Sequence, residues 1–264
     1  MASADPHQQL CAILRRLERD LSGVEPGPPV SHVYNPLEYA AECTLEYLER
    51  FAHPASAKPD RALLMGMNPG PWGMAQTGIP FGAVGRVRGW LRIEAPVGRP
   101  VREHPKRRIE GFACRREEVS GDRLWGWAQE TFETPERFFA HFFVWNYCPL
   151  LFLEESGRNL TPDKLRADVR QQVLDPCDVA LRGVVECLGI RRVIGIGGFA
   201  EQRARLALEG LSVRVDRVLH PSPASPAANR GWAAQVTAQL RDLGVAIPEA
   251  ESGRPVAEGG RQRR

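Results

Sequence analysis

Two proline- and glycine-rich segments, each set directly after a short apolar run, constrain this chain more than any other feature. The first is Gly66-Met67-Asn68-Pro69-Gly70-Pro71-Trp72-Gly73-Met74, running on to Pro80-Phe81-Gly82, and it follows Ala62-Leu63-Leu64-Met65. The second is His220-Pro221-Ser222-Pro223-Ala224-Ser225-Pro226-Ala227-Ala228-Asn229, and it follows the run 213–219. Both runs read as buried strands, and stiff loops at strand C-termini are where open α/β sheets place ligand sites. Proline fixes φ and glycine allows close backbone approach, so both loops are built for rigidity. One loop opens on Asn68, the other on His220.

The rest of the chain alternates around these runs. Leu10, Leu14, Leu17 and Leu21 recur at helical spacing, which predicts an amphipathic helix over 8–21. A Pro/Gly linker at 25–29 precedes a helix over 36–51, with Asn35 as its N-cap. Strands are expected at 62–67, 142–147, 192–196 and 213–219, and helices at 83–91, 117–130, 135–141, 199–209 and 229–243. A further helix is expected to follow Thr161-Pro162, with Thr161 as N-cap and Pro162 in the first turn, and to run with breaks to 188. The intervening stretch 93–122 reads as irregular surface structure. Strands alternating with helices indicate a three-layer α/β/α fold around a central, mostly parallel four-stranded sheet. The organisation expected is an N-terminal helix (1–24), a catalytic domain (25–248) and a disordered tail (249–264) rich in Gly, Arg and Glu.

Composition mainly excludes. A length of 264 residues suits one α/β domain. No apolar run approaches the roughly 18 residues of a membrane span, and the polar N-terminus predicts no secretory leader. The six cysteines (Cys11, Cys43, Cys114, Cys148, Cys177, Cys187) have no C-x-x-C pairing or zinc-finger spacing, so free thiols in an intracellular protein are expected, without a metal. Among the cations only Lys58, Lys106 and Lys164 are lysines. Arginine binds phosphate bidentately, but a GC-rich genome produces the same bias, and it favours a bacterial cytoplasm over a eukaryotic nucleus.

Nucleotide-binding and serine-hydrolase readings fail, since no P-loop, G-x-G-x-x-G or G-x-S-x-G occurs. Three strands instead deliver Asn68, Asn146 and His220 to one sheet edge. With Phe81 they make a rigid pocket of amides, one imidazole and one ring, with no evident carboxylate or lysine. Such a set suits a planar heterocycle. An Asn amide pairs with uracil by accepting from N3–H and donating to O4, provided neighbours fix its orientation. Taken singly, each residue has a structural role open to it: a turn at Asn68, a strand-end cap at Asn146, a satisfied histidine at His220, core packing at Phe81.

Gly66 to Pro71, Gly73-Met74-Ala75-Gln76-Thr77-Gly78, Pro80-Phe81-Gly82 and His220-Pro221-Ser222-Pro223 together closely resemble the single-strand-selective monofunctional uracil-DNA glycosylases of the uracil-DNA glycosylase superfamily. The resemblance spans 33–243 and takes in Tyr34-Asn35-Pro36, Glu103-His104-Pro105-Lys106-Arg107, the stretch 156–162 and Ala200-Glu201-Gln202-Arg203-Ala204-Arg205. It implies a monomeric, cofactor-free and metal-free hydrolase that flips uracil or 5-hydroxymethyluracil out of single- or double-stranded DNA and leaves an abasic site. On that resemblance Asn68 positions water, His220 bonds the uracil O2, Asn146 reads the base and Phe81 stacks on it. Gly70 and Met74 line the pocket near C5. Pro223, Ala224, Ser225, Pro226, Ala227, Asn229 and Arg230 form the wedge that enters the DNA, and Trp232 packs the final helix.

The chain departs from the pattern in three places. Trp145 stands where relatives carry His, with consequences for pocket packing or DNA contact. Trp72 replaces Phe. Ala224-Ser225 replaces Arg-Asn in the wedge, which predicts weaker hold on flipped duplex. Two alternatives stay open: another base choice, such as hypoxanthine or xanthine, and a non-catalytic nucleic-acid-binding protein on the same scaffold.

Overall fold

The run Ala62–Gly66 is buried along its whole length, as a strand is when neighbours pair both its edges and layers cover both faces. The computed structural model describes residues 5–248. In chain order its strands are β1 (Val30–Tyr34), β2 (Ala62–Gly66), β3 (Phe142–Asn146), β4 (Leu151–Glu154), β5 (Asn159–Leu160), β6 (Arg192–Ile196) and β7 (Arg214–Val218). Four of them form the central sheet in the order β3-β2-β6-β7, every neighbouring pair parallel.

The helices are α1 (Pro6–Leu21), α2 (Pro36–Tyr39), α3 (Ala41–Phe51), α4 (Met74–Thr77), α5 (Val84–Arg86), α6 (Val119–Phe132), α7 (Pro135–His141), α8 (Ala167–Cys187), α9 (Gly198–Ala207) and α10 (Trp232–Asp242). One outer layer holds α9 and α8 with α1 and α3 beside them; the other holds α6, α7 and α10. This is the three-layer α/β/α arrangement expected. The leucine stripe of α1, Leu10, Leu14, Leu17 and Leu21, is buried in the same core as the sheet.

Several local expectations are corrected. The helix over 36–51 breaks at Ala40, because the Tyr39 carbonyl turns away to accept from the Gly98 amide at 2.7 Å. Asn35 does cap its start, accepting from the Leu37 amide. The helix over 83–91 is one α-turn followed by a π-turn, Val87–Leu91, which points Val87, Trp90 and Leu91 into the core. After Thr161 comes a 3-10 turn, Pro162–Lys164, and the long helix α8 begins only at Ala167. The run 213–219 is an edge strand rather than a buried one: β7 pairs with β6 alone, and Asp216 meets Arg192 at 3.1 Å and Arg214 at 2.9 Å.

A second sheet, antiparallel and ordered β1-β4-β5, has no counterpart in the sequence reading. Its strands are short, and the pairing joins residues far apart in the chain. No helix among the described residues is long and apolar enough to cross a membrane. The tail 249–264, expected to be disordered, lies outside the described residues.

Candidate active site

Parallel strands open their C-termini on one edge. There β2 ends at Gly66, β3 at Asn146 and β7 at Val218, two residues before His220. Asn68, Gly70, Met74, Phe81, Asn146 and His220 line a single cleft of about 370 Å³ at this edge. The six residues expected to form the pocket are therefore brought together.

Each side chain is held in one orientation. Asn68 donates from Nδ2 to the Leu150 carbonyl at 3.3 Å, just before β4, which leaves its Oδ1 as an open acceptor. Asn159 on β5 donates to the Pro69 carbonyl at 3.3 Å and fastens the same loop. Asn146 points Nδ2 at the Met74 sulfur, 3.2 Å away. Behind it, the Tyr147 hydroxyl donates to the Asp178 carboxylate at 2.6 Å, and Arg203 closes that network from α9.

His220 accepts at Nδ1 from the Ser222 amide, at 3.0 Å. Its neutral ring therefore carries the proton on Nε2, as a donor. Burial pulls its pKa down to about 4, so the neutral ring is the resident form near pH 7. Gly197, with φ of 94°, passes so close that a Cβ there would lie 3.3 Å from the His220 Cβ.

Phe81 has a φ of 55°, an uncommon left-handed conformation for a bulky residue. The surroundings impose it: α6 packs on the Phe81 carbonyl at Gly121, where any Cβ would overlap. Trp125 of that helix also donates to the Pro80 carbonyl at 3.3 Å. The Phe81 and His220 rings stand 6.3 Å apart between centroids, tilted by 43°.

Glu118, Ser120, Asn159, Thr161 and Ser222 also line the cleft and were missed by the sequence reading as individual site residues. The expectation of a pocket without a carboxylate is thus corrected. Asn159 and Thr161 had a signal, the 156–162 motif. Glu118 had none, since it sits in the charged run Arg115-Arg116-Glu117-Glu118 and reads as surface. Among the described residues, no group of three His, Cys, Asp or Glu is placed to hold a metal ion.

No protein-family model matches the sequence. Over 232 residues it is 50% identical to the single-strand selective monofunctional uracil DNA glycosylase of Mus musculus, covering 87% of this chain and 82% of that protein. The Rattus norvegicus protein of that description gives the same figures. The Bos taurus one is 49% identical, covering 87% of this chain and 84% of its own. The chain belongs to the single-strand-selective monofunctional uracil-DNA glycosylase family.

The glycosylase fold is also seen in the crystal structure of wild-type Pedobacter heparinus SMUG2, with a TM-score of 0.61 at 19% identity. That likeness covers 90% of this chain and 99% of the other. In this family member the residues expected to form the wedge (Pro223, Ala224, Ser225, Pro226, Ala227, Asn229 and Arg230) lie beside the cleft and do not line it. Their loop is self-bonded, with Ser225 N donating to Ser222 O at 3.0 Å and Asn229 Nδ2 to Pro223 O at 2.9 Å. Arg123 of α6 clasps it, donating to Pro221 O at 3.0 Å and Asn229 Oδ1 at 2.8 Å.

Trp145 is not among the residues that line the cleft. It is buried, and it lines a small apolar cavity with Leu14 and Leu17 of α1, behind Met74 and Asn146. Trp232 packs inside as expected and donates to the Leu219 carbonyl at 2.7 Å. Trp72 lies under two guanidinium groups, Arg107 at 5.1 Å and Arg116 at 5.4 Å from the ring centre. Gln76 is fully buried: it donates to Pro71 O and Arg108 O, and accepts from the Glu110 and Gly111 amides. It sews the Asn68 loop to the stretch 108–111.

Proposed function

We propose that this chain excises uracil from DNA by hydrolysing the N-glycosidic bond, leaving an abasic site. One observation carries the reading. A neutral Nε2–H donor, an oriented amide, an aromatic ring and an open amide oxygen all face the same cleft. The reacting atoms of a stacked base are out of reach, so the nucleotide must be flipped into that cleft.

Phe81 stacks on the base, and Asn146 accepts from N3–H while donating to O4. As the glycosidic bond stretches, negative charge gathers on O2 and the sugar becomes cationic. His220 Nε2–H meets that oxygen as a preplaced donor, a contact worth about 3 kcal/mol in the transition state. Being neutral, it donates without giving up a resident charge. Asn68 Oδ1 accepts an O–H of the attacking water and orients it. No lysine lines the cleft, so hydrolysis rather than a Schiff-base step is the reaction this wall supports.

The finer reading includes 5-hydroxymethyluracil as a second substrate, single- and double-stranded DNA as partners, and a monomer as the working form. The wedge of residues 223–227 with Asn229 and Arg230 enters the base stack beside the flipped nucleotide. The catalytic unit is 25–248, with α1 docked on it. Six free thiols, five of them buried, suit an intracellular protein, and the arginine-rich composition suits a bacterial cytoplasm.

The test is strand cleavage at the abasic site by alkali after incubation with a uracil-containing oligonucleotide. Wild type should produce it, while Asn68→Ala and His220→Ala should each lose on the order of a hundred- to a thousandfold in rate. No product from wild type, or undiminished product from Asn68→Ala, refutes the assignment.

A further inference from the structure

Among the described residues Glu118 supplies the only carboxyl group in the cleft wall. Its side chain lies across the Asn68 loop in space that two glycines leave open. A Cβ at Gly73 would sit 2.7 Å from the Glu118 Cγ, and one at Gly70 would sit 3.0 Å from its Cδ and overlap Oε2. The carboxyl group therefore rests against the Gly70 backbone on the pocket wall. Among the described residues no cation pairs with it. Among those residues the Ser120 amide, in the first turn of α6, is the one group that favours its charged form. A carboxylate offers about four acceptor positions, and Glu118 lines the cleft with one backbone amide satisfying it. Burial raises its pKa above the ordinary carboxylate value.

The edge of the base that meets this wall follows from the other contacts. His220 takes O2 and Asn146 takes N3 and O4. The donor end of the Asn146 amide lies on the Met74 side, so O4 is on that side too. The next ring atom beyond O4 is C5, which faces the wall of Met74, Gly70 and Glu118.

We propose that Glu118 is a specificity-determining residue that selects the substituent on C5. The inference rests on the uracil-excision reading. A 5-hydroxymethyl group donates its O–H to the carboxylate. A 5-methyl group displaces solvent from that carboxylate and offers no donor in return, which disfavours thymine. A 5-carboxyl group brings a second negative charge against the first and is rejected most strongly. Losing one hydrogen bond to a charged group corresponds to on the order of a ten- to hundredfold discrimination.

The experiment compares four bases in single-stranded oligonucleotides: uracil, 5-hydroxymethyluracil, thymine and 5-carboxyuracil. The readout is the ratio of each kcat/KM to that of uracil within one variant, so a general loss of activity cancels. Glu118→Gln keeps the shape and removes the charge. It should raise the 5-carboxyuracil ratio about tenfold or more and lower the 5-hydroxymethyluracil ratio severalfold. Glu118→Leu should raise the thymine ratio. If a variant turns over too slowly, the Tm shift given by each free base ranks the same preferences. Unchanged ratios or rankings in both variants overturn the role of Glu118 while leaving uracil excision standing. A wild type that releases none of the four bases overturns the excision reading, and this inference with it.

Discussion

Gly66 and Asn146 are register partners on adjacent parallel strands, and the side chain of one occupies the space where a side chain of the other would begin. A Cβ on Gly66 would overlap Asn146 Oδ1 and lie 2.5 Å from the Phe81 ring. Gly66→Ala should therefore push both base-contacting groups aside. An ångström of misplacement is enough to cost about a hundredfold, so single-turnover excision should fall by at least that order. Circular dichroism should show the fold retained.

The burial of His220 sets a pH dependence with a definite sign. The folded-state pKa of His220, about 4, lies below the ordinary histidine value. Between that ordinary value and pH 4 the unfolded chain binds a proton that the folded chain refuses, so stability falls as pH drops through this window. The loss attributable to His220 is on the order of 3 kcal/mol. Urea unfolding from pH 7 to 4 should show it in wild type and not in His220→Ala. His220 should remain neutral and able to donate at pH 5, and a loss of excision that follows its protonation near pH 6.5 would contradict the assignment.

Arg123 holds the loop at 221–229 from outside, whereas the loop's own tip carries Ala224 and Ser225. Ala224→Arg should raise the ratio of duplex to single-strand excision by supplying a cation at the tip. Arg123→Ala should lower that ratio, because a loosened loop loses its grip on stacked DNA first. Parallel assays on the two uracil substrates measure both, and equal ratios in all three proteins would remove the wedge role from this loop.

Gln76 uses its whole amide on backbone groups of two segments. Gln76→Leu would leave two carbonyls and two amides without it. The expected loss is about 2–4 kcal/mol in unfolding free energy, measured by denaturant titration. Excision should also weaken as the Asn68 loop slackens.

The central sheet and its site edge were legible because β2 and β3 carry strong apolar runs that end at Gly66 and Asn146. Asn68 and His220 stood out for the opposite reason, as lone polar groups opening stiff loops. The β1-β4-β5 sheet was not legible. Its longest strands have five and four residues, and its pairing of Tyr34 with Leu151 is a long-range contact that no local pattern announces. Glu118 escaped for a related reason: burial under a distant glycine loop turns a residue of a charged run into a pocket wall. The break at Ala40 likewise depends on Gly98, far along the chain.

The orientation of the Asn146 amide has a consequence for turnover. Among the described residues the partner of its nitrogen is a thioether sulfur, and a thioether is a weak acceptor. A free pyrimidine satisfies that amide as well as a nucleotide does, because the contacts to N3 and O4 survive when the sugar is gone. Excised base should therefore linger and compete with fresh substrate, so that product inhibition comes with the same amide that gives recognition.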